Sequence, residues 1–120
     1  MIMTENLFSY GTLQDEPIQL KTFGRILQGH PDVITGYKIT LVKIKDDTVV
    51  ASTGMTHYNN IAYTGNQLDI IHGTLFIITG SELKESDKYE ALDDYERMLI
   101  KLGSGKTAWV YHFAGNVYPQ

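Results

Sequence analysis

Two runs rich in apolar and β-branched side chains, Arg97-Met98-Leu99-Ile100-Lys101-Leu102 and Thr107-Ala108-Trp109-Val110-Tyr111-His112-Phe113, flank the short link Gly103-Ser104-Gly105. Glycine supplies the positive φ angles a tight reversal needs, and the flanking runs have strand composition, so this segment predicts a β-hairpin. It commits the chain to an antiparallel element, and the remaining segments have to supply the rest of the sheet.

Residues 6–10 form a short apolar-rich run ending at Gly11, which predicts a buried first strand stopped by a turn. Ile18, Leu20, Phe23, Ile26 and Leu27 recur at near-helical spacing over residues 17–28. Asp15, Glu16 and a Pro suited to a first turn precede them and Gly29 follows, predicting an amphipathic helix. Residues 37–44 and 48–51 read as strands with Asp46-Asp47 at the bend. Residues 53–67, rich in Gly, Asn, Thr and Tyr without a steady period, read as a long irregular connection of the kind that often carries function. Residues 68–78 read as a strand pair or as one long strand interrupted at Gly73, and Thr79 and Glu82 have capping-box spacing for a helix running to about Glu90. The expectation is one α+β domain over residues 1–120, with two main helices and a mostly antiparallel sheet or small barrel.

Composition removes several chemistries. With 120 residues, 42% of them hydrophobic, the chain has the size of one domain that needs no metal or disulfide to hold its core. The absence of cysteine excludes a thiol nucleophile and a Cys-ligated metal or iron–sulfur centre. Fourteen acidic against ten basic residues, a net charge of −4, make a poor grip for phosphate backbones, so no nucleic acid partner is expected. The first residues lack the charged and apolar regions of a signal peptide, and the run from Ile70 to Ile78 is broken by His72 and Gly73. It is too short for a span of roughly 20 residues. A soluble, cytoplasmic protein without a membrane partner is expected.

Gly105-Lys106-Thr107 looks like the end of a phosphate-binding loop, but Ile100 stands where its first glycine belongs and a strand follows where a helix is required. An ordinary turn accounts for it. His30, His57, His72 and His112 show no i, i+3 or i+4 spacing, so no metal site is expected, and no Gly-x-Ser-x-Gly elbow supports a serine hydrolase. The acidic run over residues 87–96 reads as a solvated helix end. Glu90 offers a second reading: seven residues after Leu83, it shares that residue's helical stripe, where an apolar wall strips hydration from the carboxyl, raises its pKa and equips it to carry protons. Tyr10-Gly11-Thr12-Leu13, between the first strand and first helix, is either a simple tight turn or a nest of N–H groups for an anion.

Taken in order along the chain, these segments resemble the γ-glutamylcyclotransferase-like family, which includes the γ-glutamylamine cyclotransferases and AIG2-like proteins. Leu7-Phe8-Ser9-Tyr10-Gly11-Thr12-Leu13 resembles the family's opening strand and Tyr-Gly-Ser/Thr-Leu substrate loop. Gly36-Tyr37, His72-Gly73-Thr74-Leu75-Phe76-Ile77-Ile78 and Ala108-Trp109-Val110-Tyr111 resemble later strands, and Tyr89-Glu90 with Tyr95-x-Arg97 resembles its aromatic-Glu and Tyr-x-Arg pattern. Leu92-Asp93-Asp94-Tyr95-Glu96 spells Leu-Asp-x-Tyr-Glu more literally, but the distance from Gly73 favours Glu90, because choosing Glu96 leaves no later Tyr-x-Arg. Ser86 and Ala91 stand where the family usually has Leu and Gly.

The resemblance implies a cyclotransferase that converts a γ-glutamyl amine or amino acid to 5-oxoproline and a free amine, with a small-molecule substrate and no cofactor or metal. It implies Glu90 as the catalytic acid/base and Tyr10, Gly11, Thr12, Leu13 and Tyr95 as substrate-binding residues. Arg97 is either part of the site or an ion-pair partner of Asp93 or Asp94, and residues 53–67 are expected to read the leaving amine. The alternative on the same fold is a binding module that holds small carboxylates or γ-glutamyl ligands without turnover. A third reading, a structural interaction protein using residues 53–67, has only composition behind it.

Overall fold

Leu7 and Phe8 are neighbours in the chain, yet neither is more than 1% exposed. Successive side chains of a strand point to opposite faces, so the strand that carries them, β1 (Thr4–Ser9), is covered on both sides. In the computed structural model, which describes residues 3–43, 51, 57–92 and 94–114, β1 is the middle of a five-stranded sheet. Its companions are β2 (Gly29–Thr35), β5 (Ile70–Thr79), β6 (Tyr95–Lys101) and β7 (Thr107–Phe113), in the order β2-β5-β1-β7-β6. Every pairing is antiparallel except β1 with β7, where Leu7 lies opposite Trp109. A separate ribbon pairs β3 (Tyr37–Lys43) with β4 (His57–Tyr63) and leans on β5 and β7.

The two faces of the sheet hold two cores. Phe8, Ile34, Ile71, Leu75, Ile100 and Val110 pack on one side together with Ile61 of the ribbon. Leu7, Phe76 and Ile78 face the other way and meet Leu13, Leu27 and Leu83 beneath α1 (Glu16–Phe23) and α2 (Gly80–Ala91). The outermost strands also meet. The turn between β6 and β7 folds onto β2, where Gly103 N–H donates to the Val33 carbonyl at 2.8 Å and the Ser104 hydroxyl donates to Asp32 Oδ2 at 2.6 Å. Partial burial raises the Asp32 pKa, but the bonds from Ser104 and Val33 outweigh it and hold the carboxyl below its ordinary value. The result is the expected α+β fold, a mostly antiparallel mixed sheet curled until its edges touch at one corner, with α1 and α2 packed on one face.

The hairpin and the capping box form as expected. Glu82 N–H donates to Thr79 Oγ1 at 3.1 Å and Thr79 N–H to Glu82 Oε1 at 2.9 Å. Other segments depart from expectation for identifiable reasons. The first helix stops at Phe23 rather than near residue 28, because Gly24 adopts φ 75° and returns its N–H to the Leu20 carbonyl, closing the helix with a left-handed cap. Its inward face is also shifted: Leu20 is 53% exposed while Gln19 is buried. Gln19 sits inside because its amide bonds the Leu13 carbonyl and the Leu27 N–H, both at 2.9 Å, stitching the segments on either side of the helix. The segment that becomes β2 has no strand assignment in the sequence reading, since Pro31 masks it; proline is tolerated there because β2 is an edge strand.

Residues 53–67 are not wholly irregular, because His57 to Tyr63 form β4 and pair residue for residue with β3. The bend at Asp46-Asp47 and residues 48–50 of the expected strand lie outside the described residues, and Ala51, the described member of that run, is helical rather than extended. β5 runs unbroken through Gly73. A side chain there would overlap the Ser9 carbonyl and the Phe8 ring, so this glycine serves close strand approach rather than a break. Among the described residues, no helix is long and apolar enough to cross a membrane.

Candidate active site

β1 ends at Ser9, and the chain then turns through Gly11 into a single 3-10 turn, Thr12–Gln14. Five contacts fix this loop. Leu13 is 1% exposed and anchors it in the core. The Gln19 amide donates to the Leu13 carbonyl, Gly11 N–H donates to Ser9 Oγ at 3.2 Å, and Gln14 Nε2 donates to the Gly11 carbonyl at 3.2 Å. Gln14 Oε1 in turn accepts from Thr74 of β5 at 2.9 Å, tying the loop to the sheet. Gly11, which precedes the 3-10 turn, has no side chain to cap the N–H groups that open it.

The last turn of α2 faces this loop. Leu83 roots the helix in the core at 5% exposure, and the stripe continues through the fully buried Ser86 to the half-buried Glu90. The Thr12 hydroxyl and the Tyr89 hydroxyl, 77 positions apart in the chain, are 2.8 Å from one another. A cavity of about 220 Å³ opens between loop and helix, and Tyr10, Gly11, Thr12, Glu90 and Tyr95 all line it. Leu13, whose backbone N–H is the group expected to serve the substrate, keeps its side chain in the core beneath the cavity. Glu96 points away: it is an exposed residue of β6 opposite His112 and borders a separate shallow depression. The two Tyr-Glu pairs of the sequence are thereby separated, one in the cavity and one outside it.

The walls are tyrosine-rich. Tyr10, Tyr58, Tyr89, Tyr95 and Tyr111, five of the eight tyrosines in the chain, line the cavity. Tyr10 donates its hydroxyl to the Tyr111 carbonyl at 2.8 Å, and Tyr95 donates to the Asn59 carbonyl at 2.5 Å while packing edge-on against Tyr58 and Phe113. Burial pushes the Tyr10 pKa up and the neighbouring Glu90 carboxylate pushes it further. Burial likewise raises Tyr111; its bond with Ser86 opposes the shift, while Asp87 and Glu90 reinforce it. Both phenols are therefore kept protonated beside the Glu90 charge.

Behind the cavity the Tyr111 hydroxyl donates to Asp87 Oδ1 at 2.7 Å. Ser86 Oγ lies 2.7 Å from both the Leu83 carbonyl and the Tyr111 oxygen and has one proton to share between them. Ser86 is thus the partner of a buried phenol. Arg97 pairs with Asp87: its Nε donates to Asp87 Oδ1 at 2.9 Å, its guanidinium lies 4.1 Å from the Trp109 ring centroid, and it does not line the cavity; Asp93, one of its expected partners, lies outside the described residues. The sequence reading did not single out Phe8, Ser9, Tyr89 and Tyr111 as cavity residues, and of residues 53–67, expected to read the leaving amine, Tyr58 and Asn59 line the cavity; the concentration of tyrosine was the available signal. Among the described residues, no group of three or more His, Asp or Glu side chains is arranged to hold a metal ion.

A curled, mostly antiparallel mixed sheet backed by helices defines a class of small α+β folds, and solved structures share it. A solution structure from Arabidopsis thaliana aligns over 92% of this chain and 62% of its own, with 20% identity and a TM-score of 0.66. The crystal structure of an uncharacterized protein from Homo sapiens aligns over 93% and 68%, with 18% identity and a TM-score of 0.66. A structure described as a gamma-glutamyl cyclotransferase aligns over 93% and 68%, with 15% identity and a TM-score of 0.71. At these identities the likeness is one of fold, and the chain spans about 62% of the length of the Arabidopsis protein. No curated protein matches the sequence. The profile of the gamma-glutamyl cyclotransferase, AIG2-like family matches residues 7–120, and the chain belongs to that family.

Proposed function

We propose that the protein is a cyclotransferase that releases 5-oxoproline from a γ-glutamyl conjugate, with Glu90 as its acid and base. The observation that carries this reading is the cavity itself, in which the Glu90 carboxylate faces the Gly11 and Thr12 loop. The substrate's α-nitrogen arrives as an ammonium and is no nucleophile until it loses a proton. Glu90 accepts it, and the freed amine attacks the γ-carbonyl. The new C–N bond closes a five-membered ring, and the old amide C–N bond breaks once its nitrogen has been protonated by Glu90. Two protons leave the α-nitrogen over the whole reaction and two reach the departing nitrogen, so the products are 5-oxoproline and an ammonium, with no water consumed.

Because attack is intramolecular, the protein's main contribution is to hold a near-attack geometry, which can be worth several kcal/mol. The tethered loop supports that role: its position is fixed by Ser9, Gln14, Gln19 and Thr74 before any ligand arrives. The N–H groups of Thr12 and Leu13, which open the 3-10 turn, are the donors for the substrate carboxylate or the developing oxyanion, while that of Gly11 is held by Ser9 Oγ. Tyr10 and Tyr95 shape the wall. The test is incubation with a panel of γ-glutamyl amines, γ-glutamyl amino acids and glutathione, reading 5-oxoproline. Turnover of at least one member is expected; ligand binding without turnover of any of them would establish the binding module in its place.

A further inference from the structure

Resting on that reading of the cavity, we infer that Tyr111 is the positioning residue that spaces the reacting groups: its carbonyl holds the loop, its hydroxyl holds the end of α2, and the span between them sets where Glu90 stands relative to the Thr12 and Leu13 N–H donors. Tyr111 lies on β7, so it belongs to neither of the segments that carry those groups. Its main-chain carbonyl accepts from the Tyr10 hydroxyl at 2.8 Å, and Tyr10 immediately precedes the loop glycine. Its own hydroxyl donates to Asp87 Oδ1 at 2.7 Å and lies 2.7 Å from Ser86 Oγ, about one helical turn before Glu90. One residue of the sheet therefore bonds both walls of the cavity.

The joint is built to hold its geometry. Arg97 of β6 and Tyr111 of β7 are cross-strand partners, so their side chains share a face of the sheet, and both reach the same oxygen: Arg97 Nε donates to Asp87 Oδ1 at 2.9 Å. The Arg97 guanidinium is itself seated over the Trp109 ring, 4.1 Å from its centroid. Asp87 is thus gripped from two adjacent strands through charge-assisted bonds. Tyr111 is 6% exposed, and burial above all keeps its phenol protonated, so it stays a donor. The direct bridge between loop and helix, from the Thr12 hydroxyl to the Tyr89 hydroxyl, lies in the exposed part of the site. A bond shielded from water is electrostatically stronger than one that water competes for, which makes the Tyr111 joint the stiffer of these two ties. What it fixes matters to the reaction, because ring closure depends on near-attack geometry, where a misplacement of about 1 Å can cost about 10²-fold.

Tyr111→Phe keeps the ring and removes the hydroxyl. On a substrate the wild type cyclises, its kcat for 5-oxoproline formation should fall roughly 10- to 100-fold while KM stays within about threefold, because the loop donors still bind substrate but Glu90 is no longer held opposite them. Asp87→Ala should lose as much or more, and the double variant should be no slower than Asp87→Ala alone, because both changes break the same bond. Asp87→Asn keeps an oxygen for both donors and should recover most of the rate. Thr79→Ala weakens the far end of the same helix and should leave kcat unchanged, which separates loss of position from loss of stability. A kcat for Tyr111→Phe within about twofold of wild type, additive losses in the double variant, or an equal kcat loss in Thr79→Ala overturns the inference and leaves the cyclotransferase reading standing. If the wild type cyclises no member of the panel, that reading fails and amide exchange decides the inference: Tyr111→Phe should speed exchange both at residues 11–14 and at residues 88–91 while β5 keeps its protection, and unchanged exchange at either segment overturns it.

Discussion

Two glycines near the cavity do opposite jobs, and their environments separate them. A Cβ built on Gly73 collides with the Ser9 carbonyl and the Phe8 ring, whereas one built on Gly11 meets no protein atom within 4 Å. Gly73→Ala should therefore cost about 2 kcal/mol or more in chemical denaturation, in the range of overpacked cores. Gly11→Ala should stay within about 0.5 kcal/mol of wild type. Its methyl group enters the space a ligand would use, so kcat/KM for 5-oxoproline formation should fall about tenfold or more while the fold persists. Equal loss of stability in both variants would show that the loop glycine is structural. At this scale the sequence was informative about Glu90, whose spacing from Leu83 is a helical stripe, and about the Tyr10 to Thr12 loop. It pointed to Tyr58 and Asn59 only as members of residues 53–67 and was uninformative about Tyr111, because their approach to the site depends on how the ribbon and β7 lie against β1.

Among the elements, α2 has the clearest local logic. Thr79 caps it, and Glu82 both completes the capping box and receives two bonds from Arg25 at 2.7 and 2.8 Å. Thr79→Ala should cost about 1 kcal/mol, measured by denaturant titration. The Arg25 bonds hold the Glu82 carboxyl below its ordinary value of 4.5 against the opposing effect of partial burial. A carboxyl lowered in the folded state adds stability above its unfolded value and loses it as the pH falls through the lowered one. Glu82→Gln keeps a capping side chain without the charge, so the drop in Tm between about pH 6 and about pH 3 should be smaller than in wild type. An unchanged drop would assign the acid sensitivity to other groups, Asp32 first. Helix α2 and the final hairpin were legible because a capping box and a glycine turn are local signals. The expected α1 ran too long because its stop was assigned to Gly29, whereas Gly24, five residues earlier, forms the left-handed cap. β4 was missed because Asn59 and Asn60 interrupt the apolar alternation that its pairing with β3 nevertheless sustains.

Across the whole molecule, the curl of the sheet brings distant segments together. Asp32 joins β2 to the turn at Ser104, so Asp32→Ala should cost about 1 to 2 kcal/mol and speed amide exchange at residues 103–106. The same turn carries Lys106, and neither wild type nor Lys106→Ala should gain thermal stability from ATP with Mg²⁺; stabilisation of wild type alone would mean that the turn binds phosphate. The same closing of distance unites the end of β1 with the end of α2 around Glu90, and this is the central claim. Its most direct measurement is the rate of 5-oxoproline formation by Glu90→Gln and Glu96→Gln beside wild type, on a substrate the wild type turns over. Gln keeps the size and reach of Glu but cannot take a proton from an ammonium, so Glu90→Gln should lose about 10²- to 10⁴-fold in kcat, with its Tm and substrate binding close to wild type. Glu96→Gln should turn over at nearly the wild-type rate. Wild-type turnover by Glu90→Gln, or an inactive Glu96→Gln, would contradict the account.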